Sequence, residues 1–114
     1  MGLKFFQIRE FACKHCGEAK MDSKFLKMID NAREIAGLPF HITSGYRCPV
    51  HNKNVGSTST NHVKGLAADI TCRAGPTRLK IVEAMLAVGF KRIGIHKNFI
   101  HCDINEGPES IWLY

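Results

Sequence analysis

The stretch Phe99-Ile100-His101-Cys102-Asp103-Ile104 constrains the fold most. Apolar and polar side chains alternate along it, the two-residue period of a strand buried on one face only. Ile100, Cys102 and Ile104 belong to a core, which puts His101 and Asp103 together on the other side. The run Asp69-Ile70-Thr71-Cys72 alternates in the same way, with Asp69 and Thr71 opposite Ile70 and Cys72. One sheet face therefore carries Asp69, His101 and Asp103, and Cys72 and Cys102 read as small buried hydrophobes in the layer beneath.

His62 precedes the first of these strands in Asn61-His62-Val63-Lys64-Gly65-Leu66. Gly65 permits a tight turn that folds a loop histidine back beside a strand carboxylate. Two imidazoles and a carboxylate are the donor set of a zinc ion with a coordination position left for water or substrate, whereas structural zinc is usually closed by four protein donors. His62, Asp69 and His101 are the candidate metal ligands, and a metal-dependent hydrolase is the leading expectation. Such a site keeps positive charge, enough to lower the pKa of a bound water to roughly 7. Spacing alone leaves the plainer alternative open, that these are surface or hydrogen-bonded groups.

The rest of the chain supplies a scaffold. Asp22 or Ser23 caps an expected helix with Phe25, Met28, Ile29, Ala32 and Ile35 on one side, stopped by Gly37 and Pro39. A short strand is expected at 40–43, then a long polar stretch, 44–61, within which 49–55 has the makings of a short helix. A polar stretch of that length in a small domain points to function. A strand at 66–71 precedes a helix capped by Thr77 with Leu79, Val82, Met85 and Leu86 on one side, ended by Gly89. Strands at 92–96 and 99–104 form a hairpin about Lys97-Asn98, and 111–113 is a candidate edge strand. The expected class is α+β, a small antiparallel sheet with helices packed on one face, in one domain covering 1–114.

Sixteen Lys and Arg against ten Asp and Glu give a net charge of +6. That balance favours anionic surroundings, but the basic residues are scattered, without the aromatic-interleaved ladder of single-strand binders. A nucleic-acid partner is therefore not expected. No apolar run approaches the roughly 20 residues of a membrane span, and charges interrupt the first ten residues too early for a signal peptide. Synthesis in a reducing compartment is expected, with reduced cysteines.

The five cysteines cannot all pair with one another. Cys13-Lys14-His15-Cys16 is open to three readings: a structural zinc site completed by Cys48 and another ligand, a redox pair, or incidental thiols. The first and last are favoured over redox. A zinc-finger reading built on this motif and the positive charge leaves His62, Asp69 and His101 unexplained.

Ser44-Gly45-Tyr46-Arg47-Cys48-Pro49-Val50-His51-Asn52, followed by His62, Gly65, Asp69 and His101, resembles the zinc D-Ala-D-Ala carboxypeptidase and L-Ala-D-Glu peptidase family, whose fold is shared with the hedgehog signalling domain. The resemblance runs from Phe11 through Ile104. It implies one catalytic Zn²⁺ on His62, Asp69 and His101, and peptidoglycan stem peptides as substrate. It also implies that Arg47 reaches the substrate's carboxylate or scissile carbonyl, a task suited to a planar, permanently charged fork.

Many relatives carry an acidic base three residues before the last histidine ligand, where this chain has Asn98. Another branch has a histidine five residues before it, and His96 matches. His96 is accordingly assigned as base or oxyanion stabiliser. Asp103 competes, either as the base or as the partner that orients a ligand imidazole. Thr60 replaces the family's usual serine, keeping the hydroxyl. His41 and His51 read as surface or loop residues, and Trp112 and Tyr114 as core or terminal packing. The resulting expectation is a monomeric zinc peptidase of a phage or prophage, released into the wall space by a separate pore-former. The alternative is a non-catalytic wall-binding or virion module of the same fold.

Overall fold

A computed structural model describes residues 2–57 and 59–114. Met1 of the expected domain and Thr58 of the expected polar stretch lie outside the described residues. A short 3₁₀ turn, Ile8–Phe11, precedes helix α1, Ser23–Ala36. The Asp22 carboxylate caps α1 by accepting the Phe25 N–H at 2.9 Å, and Gly37 ends it in the left-handed conformation at φ 68°. Buried along α1 are Phe25, Leu26, Ile29, Ala32 and Asp30. Asp30 accepts the backbone N–H groups of Lys4 and Phe5, each at 2.9 Å. That tether turns the helix toward the N-terminal segment and leaves Ile35, expected in the core, 57% exposed.

Strand β1, Ile42–Ser44, leads into the short helix α2, Pro49–Asn54; β2, Ala67–Thr71, leads into α3, Gly75–Ala87. Then come β3, Arg92–Ile95, β4, Phe99–Asp103, and β5, Ser110–Leu113. Helix α3 begins ahead of the expected cap Thr77, because Pro76 suits a first helical turn that needs no N–H. Apolar residues surround α3 on most sides, so periodicity does not select its buried face. Ile81, Ala84 and Met85 are buried, and the expected Leu79 and Leu86 are 62% and 51% exposed.

The sheet has the order β1-β2-β4-β3-β5. All pairs are antiparallel except β3–β5, which is parallel. The expected antiparallel sheet is thus extended at its last edge by one parallel strand. Both edges of β4 are already taken by β2 and β3, and β4 ends where β3 begins. A short loop at that end suffices to start β5 alongside β3, and Arg92 Nη1 anchors it by donating to the Pro108 carbonyl at 2.8 Å. Ile70, Ile93, Ile100 and Cys102 are completely buried in one cluster with Phe25 and Ile29 of α1 and Ile81 and Met85 of α3. The two helices thus cover one face of the sheet, leaving the other for chemistry.

Candidate metal centre

His62 sits in a turn that mimics a helix end: Lys64 N–H donates to Thr60 O at 3.0 Å and Gly65 N–H to His62 O at 3.2 Å. Gly65 leaves the turn at φ +71°, pressed against Lys20, where any Cβ would strike the Lys20 carbonyl. His62 Nδ1 lies 2.7 Å from the Gly45 carbonyl oxygen. A carbonyl only accepts, so Nδ1 carries the proton and Nε2 is left as a bare donor. That Nε2 is 3.6 Å from Asp69 Oδ1.

The register of β2 against β4 pairs Asp69 with His101, and Asp69 Oδ1 lies 2.9 Å from His101 Nδ1. One donor atom from each of His62, Asp69 and His101 falls within 4.8 Å of the other two. All three residues are buried. The separations of 2.9 and 3.6 Å bracket the roughly 3.3 Å expected between neighbouring ligands on a tetrahedral zinc with bonds of about 2.0–2.1 Å. The donor set fits the ion.

Asp103 is on the same face, 1% exposed. Its Oδ2 is 2.7 Å from His101 Nε2 and accepts from Asn61 Nδ2 at 3.2 Å. Its Oδ1 accepts from Arg92 Nε at 2.6 Å and from the Asn105 N–H at 3.1 Å. Arg47 reaches the centre from the other side. Its N–H donates to the His62 carbonyl at 3.2 Å, its Nε to Ser44 Oγ at 3.0 Å, and its Nη2 lies 3.6 Å from Asp69 Oδ2. Arg47, His62, Asp69 and His101 open into a cleft of about 370 Å³.

The family described as Peptidase M15 matches residues 4–103, nearly the whole chain. The chain belongs to the M15 peptidases. Membership implies a zinc peptidase acting on peptidoglycan peptides, and the buried His62, Asp69 and His101 are candidate metal-binding groups. No curated protein matches this M15 chain.

In this M15 peptidase the N–H of His96 donates to Phe99 O at 3.0 Å across the hairpin, and alternation from Gly94, which pairs with His101, puts His96 on the His101 side of the sheet, outside the residues that line the cleft. Two residues of strand separate it from Gly94, on the order of 7 Å. Its Nδ1 accepts the Asn98 N–H at 3.0 Å, leaving Nε2 free, and its ring stacks on Phe99 at 4.5 Å. Among the described residues, no hydrogen bond joins His96 to the three metal-site residues.

Sequence reasoning missed the cleft's aromatic wall. Trp112 and Tyr114, expected in packing, both line the cleft. The Trp112 ring centre is 5.6 Å from that of His101, and Arg92 Cζ is 5.3 Å from the Trp112 ring centre. Parallel addition of β5 puts Trp112 opposite Gly94. A Cβ at Gly94 would lie 2.7 Å from Trp112 Nε1 and 2.8 Å from the Tyr114 ring. A glycine inside an otherwise apolar strand is the local sign of such a close approach.

Electrostatics bind the centre together. Burial pushes the Asp69 carboxyl up, but the hydrogen bond from His101 and the nearby His62 imidazole outweigh it and hold it well below the usual carboxylate range. Burial pushes His101 down, and Asp103 and Asp69 more than reverse this, so its pKa is raised. Asp103 is lowered against the effect of burial by His101 and Arg92.

Proposed function

We propose that this M15 peptidase hydrolyses amide bonds of peptidoglycan stem peptides or cross-links, with one zinc held by His62 Nε2, Asp69 and His101 Nδ1. The observation that carries the reading is the convergence of those three buried donors beside Arg47, at the base of an open cleft. When bound, the ion polarises the scissile carbonyl and acidifies water. Arg47 holds the substrate's carboxylate or the oxygen that becomes negative as the tetrahedral centre forms. His96, through its free Nε2, takes the proton of the attacking water and returns it to the leaving amine. Asp103 already accepts from four donors. That favours the orienting role, in which it holds His101 Nε2–H and keeps Nδ1 turned toward the ion.

Lysis of a bacterial wall by a phage or prophage product, made in the host cytoplasm and released to the wall, is the biological setting we propose. The net charge of +6 supports it by drawing the protein to anionic envelope polymers. Asn98, where many relatives have an acid, favours the second reading, a module that binds wall without cutting it. Purified peptidoglycan should be digested and its muropeptides weighed, with and without a chelator. Chelator-sensitive appearance of new peptide ends supports the peptidase. Wall binding by the zinc-loaded protein with unchanged muropeptides supports the second reading and sinks the first.

A further inference from the structure

We propose that Cys13, Cys16 and Cys48 bind a second, structural zinc ion, with the His15 imidazole as fourth donor. The three sulfurs lie within 4.8 Å of one another, though Cys13 and Cys48 are 35 residues apart in sequence. All five cysteines are free thiols. Cys13 is buried, yet it stands outside the apolar cluster that takes in Cys72 and Cys102. Burial as a mere hydrophobe therefore accounts for those two and not for Cys13.

The backbone around the sulfurs is arranged for thiolates. Cys13 Sγ accepts the N–H groups of His15 and Cys48, both at 3.4 Å. Gly17 turns the chain back at φ +78°, with its N–H donating to Cys13 O at 2.8 Å. Cys48 caps α2, and its sulfur accepts the His51 N–H at 3.4 Å. Backbone donors aimed at sulfur favour the charged form that a metal needs. His15 Nδ1 is 3.4 Å from Cys48 Sγ, beside the three-sulfur group but not part of it, and rotation of this exposed side chain would bring the imidazole to the ion. Three thiolates and an imidazole are a closed, soft donor set, which selects zinc and leaves no position for substrate.

The ion would staple two segments that shape the cleft. The Cys13 turn follows the 3₁₀ turn whose Phe11 carbonyl accepts the Tyr46 N–H at 2.8 Å. Cys48 follows Arg47 directly, and Gly45 in the same loop supplies the carbonyl that orients His62. The second ion is thus a positioning device for the arginine and the first ligand, and it does not depend on the peptidase reading.

The test is metal content and thiol spectroscopy on the whole chain, neither of which requires activity. Wild-type protein should carry two zinc ions. The His62→Ala variant should retain one, together with the thiolate-to-metal charge-transfer absorption when cobalt replaces zinc. Cys16→Ser, at an exposed position, should also retain one ion but lose most of that absorption, with its fold checked by circular dichroism. His15→Ala should weaken the thiolate site by about tenfold or more, since losing even an outer partner of a metal site costs roughly 10- to 100-fold. Undiminished affinity in His15→Ala would overturn the fourth-donor assignment. Loss of all bound zinc in His62→Ala, cobalt protein without thiolate absorption, or a Cys13–Cys16 disulfide in freshly purified protein would overturn the site.

Discussion

Asp103 Oδ2 lies 2.7 Å from His101 Nε2, on the side of the ring away from Asp69. A histidine gripped at one nitrogen presents the other in a defined direction, which is what a metal ligand needs. Asp103→Ala should lower zinc affinity by roughly 10- to 100-fold. It also leaves Arg92 without its buried partner, at a cost of about 2 kcal/mol. Zinc titration and thermal melting would check both. Wild-type zinc affinity with lost turnover would instead make Asp103 the base.

Zinc binding should depend on pH through His101. Its raised pKa means that the metal must displace a proton from Nδ1. Below that pKa, affinity should fall by about tenfold per pH unit, with about one proton released per ion. Above it, His101 contributes no further change. Calorimetry in buffers of different ionisation heat would read the proton, and constant affinity across the range would exclude this coupling.

Stability of the metal-free protein follows from the same groups with opposite signs. The lowered pKa of Asp69 stabilises the fold above its ordinary value of 3.8, a contribution lost as pH falls through the folded value. The raised pKa of His101 stabilises the fold below its ordinary value of 6.5, and that contribution is lost as pH rises through the folded value. The Tm contribution of these two groups should therefore peak between those values. Zinc, which binds the folded state, should restore most Tm on the alkaline side. Melting curves with chelator and with zinc would show this, and a zinc effect largest in acid would contradict it.

Arg47 donates from a planar fork and already spans Ser44 Oγ and the edge of Asp69. Arg47→Ala should cut kcat/KM by about 10²–10³-fold, the usual cost of losing an oxyanion donor. Arg47→Lys should recover little of it, because an ammonium does not reproduce the fork. Full recovery by lysine would show that only charge matters there.

Gly94 leaves room for Trp112 and Tyr114, so Gly94→Val should push both rings aside. Overpacking of this kind costs about 1–3 kcal/mol, and the reshaped cleft should raise KM more than it lowers kcat. Trp112 is the chain's one tryptophan, so its fluorescence reports the displacement directly. Unchanged emission and KM would show that the aromatic wall takes no part in substrate binding.

How far the sequence was legible depended on the range of the interactions involved. The hairpin about Lys97-Asn98 and the sorting of Ile100 and Cys102 from His101 and Asp103 follow from alternation, a property of neighbouring residues. The ends of α1 were readable because Asp22 and Gly37 satisfy the helix's own unpaired groups. The buried face of α3 was not readable, because Leu79 and Leu86 are as apolar as Ile81 and Met85. Packing against α1 and the sheet separates them.

The amino-acid order by itself determined the donor types, the two strands that carry Asp69 and His101 with the faces those side chains take, and the glycine turn that returns His62. Each of these rests on local stereochemistry. Tertiary structure alone decided that β5 runs parallel beside β3 and walls the cleft with Trp112 and Tyr114, that Arg92 and Asn61 hold Asp103, and that Cys48 meets Cys13 and Cys16. Those encounters join residues distant in the chain. The sheet register and the competition for buried space selected them, and no pattern of adjacent residues encodes that outcome.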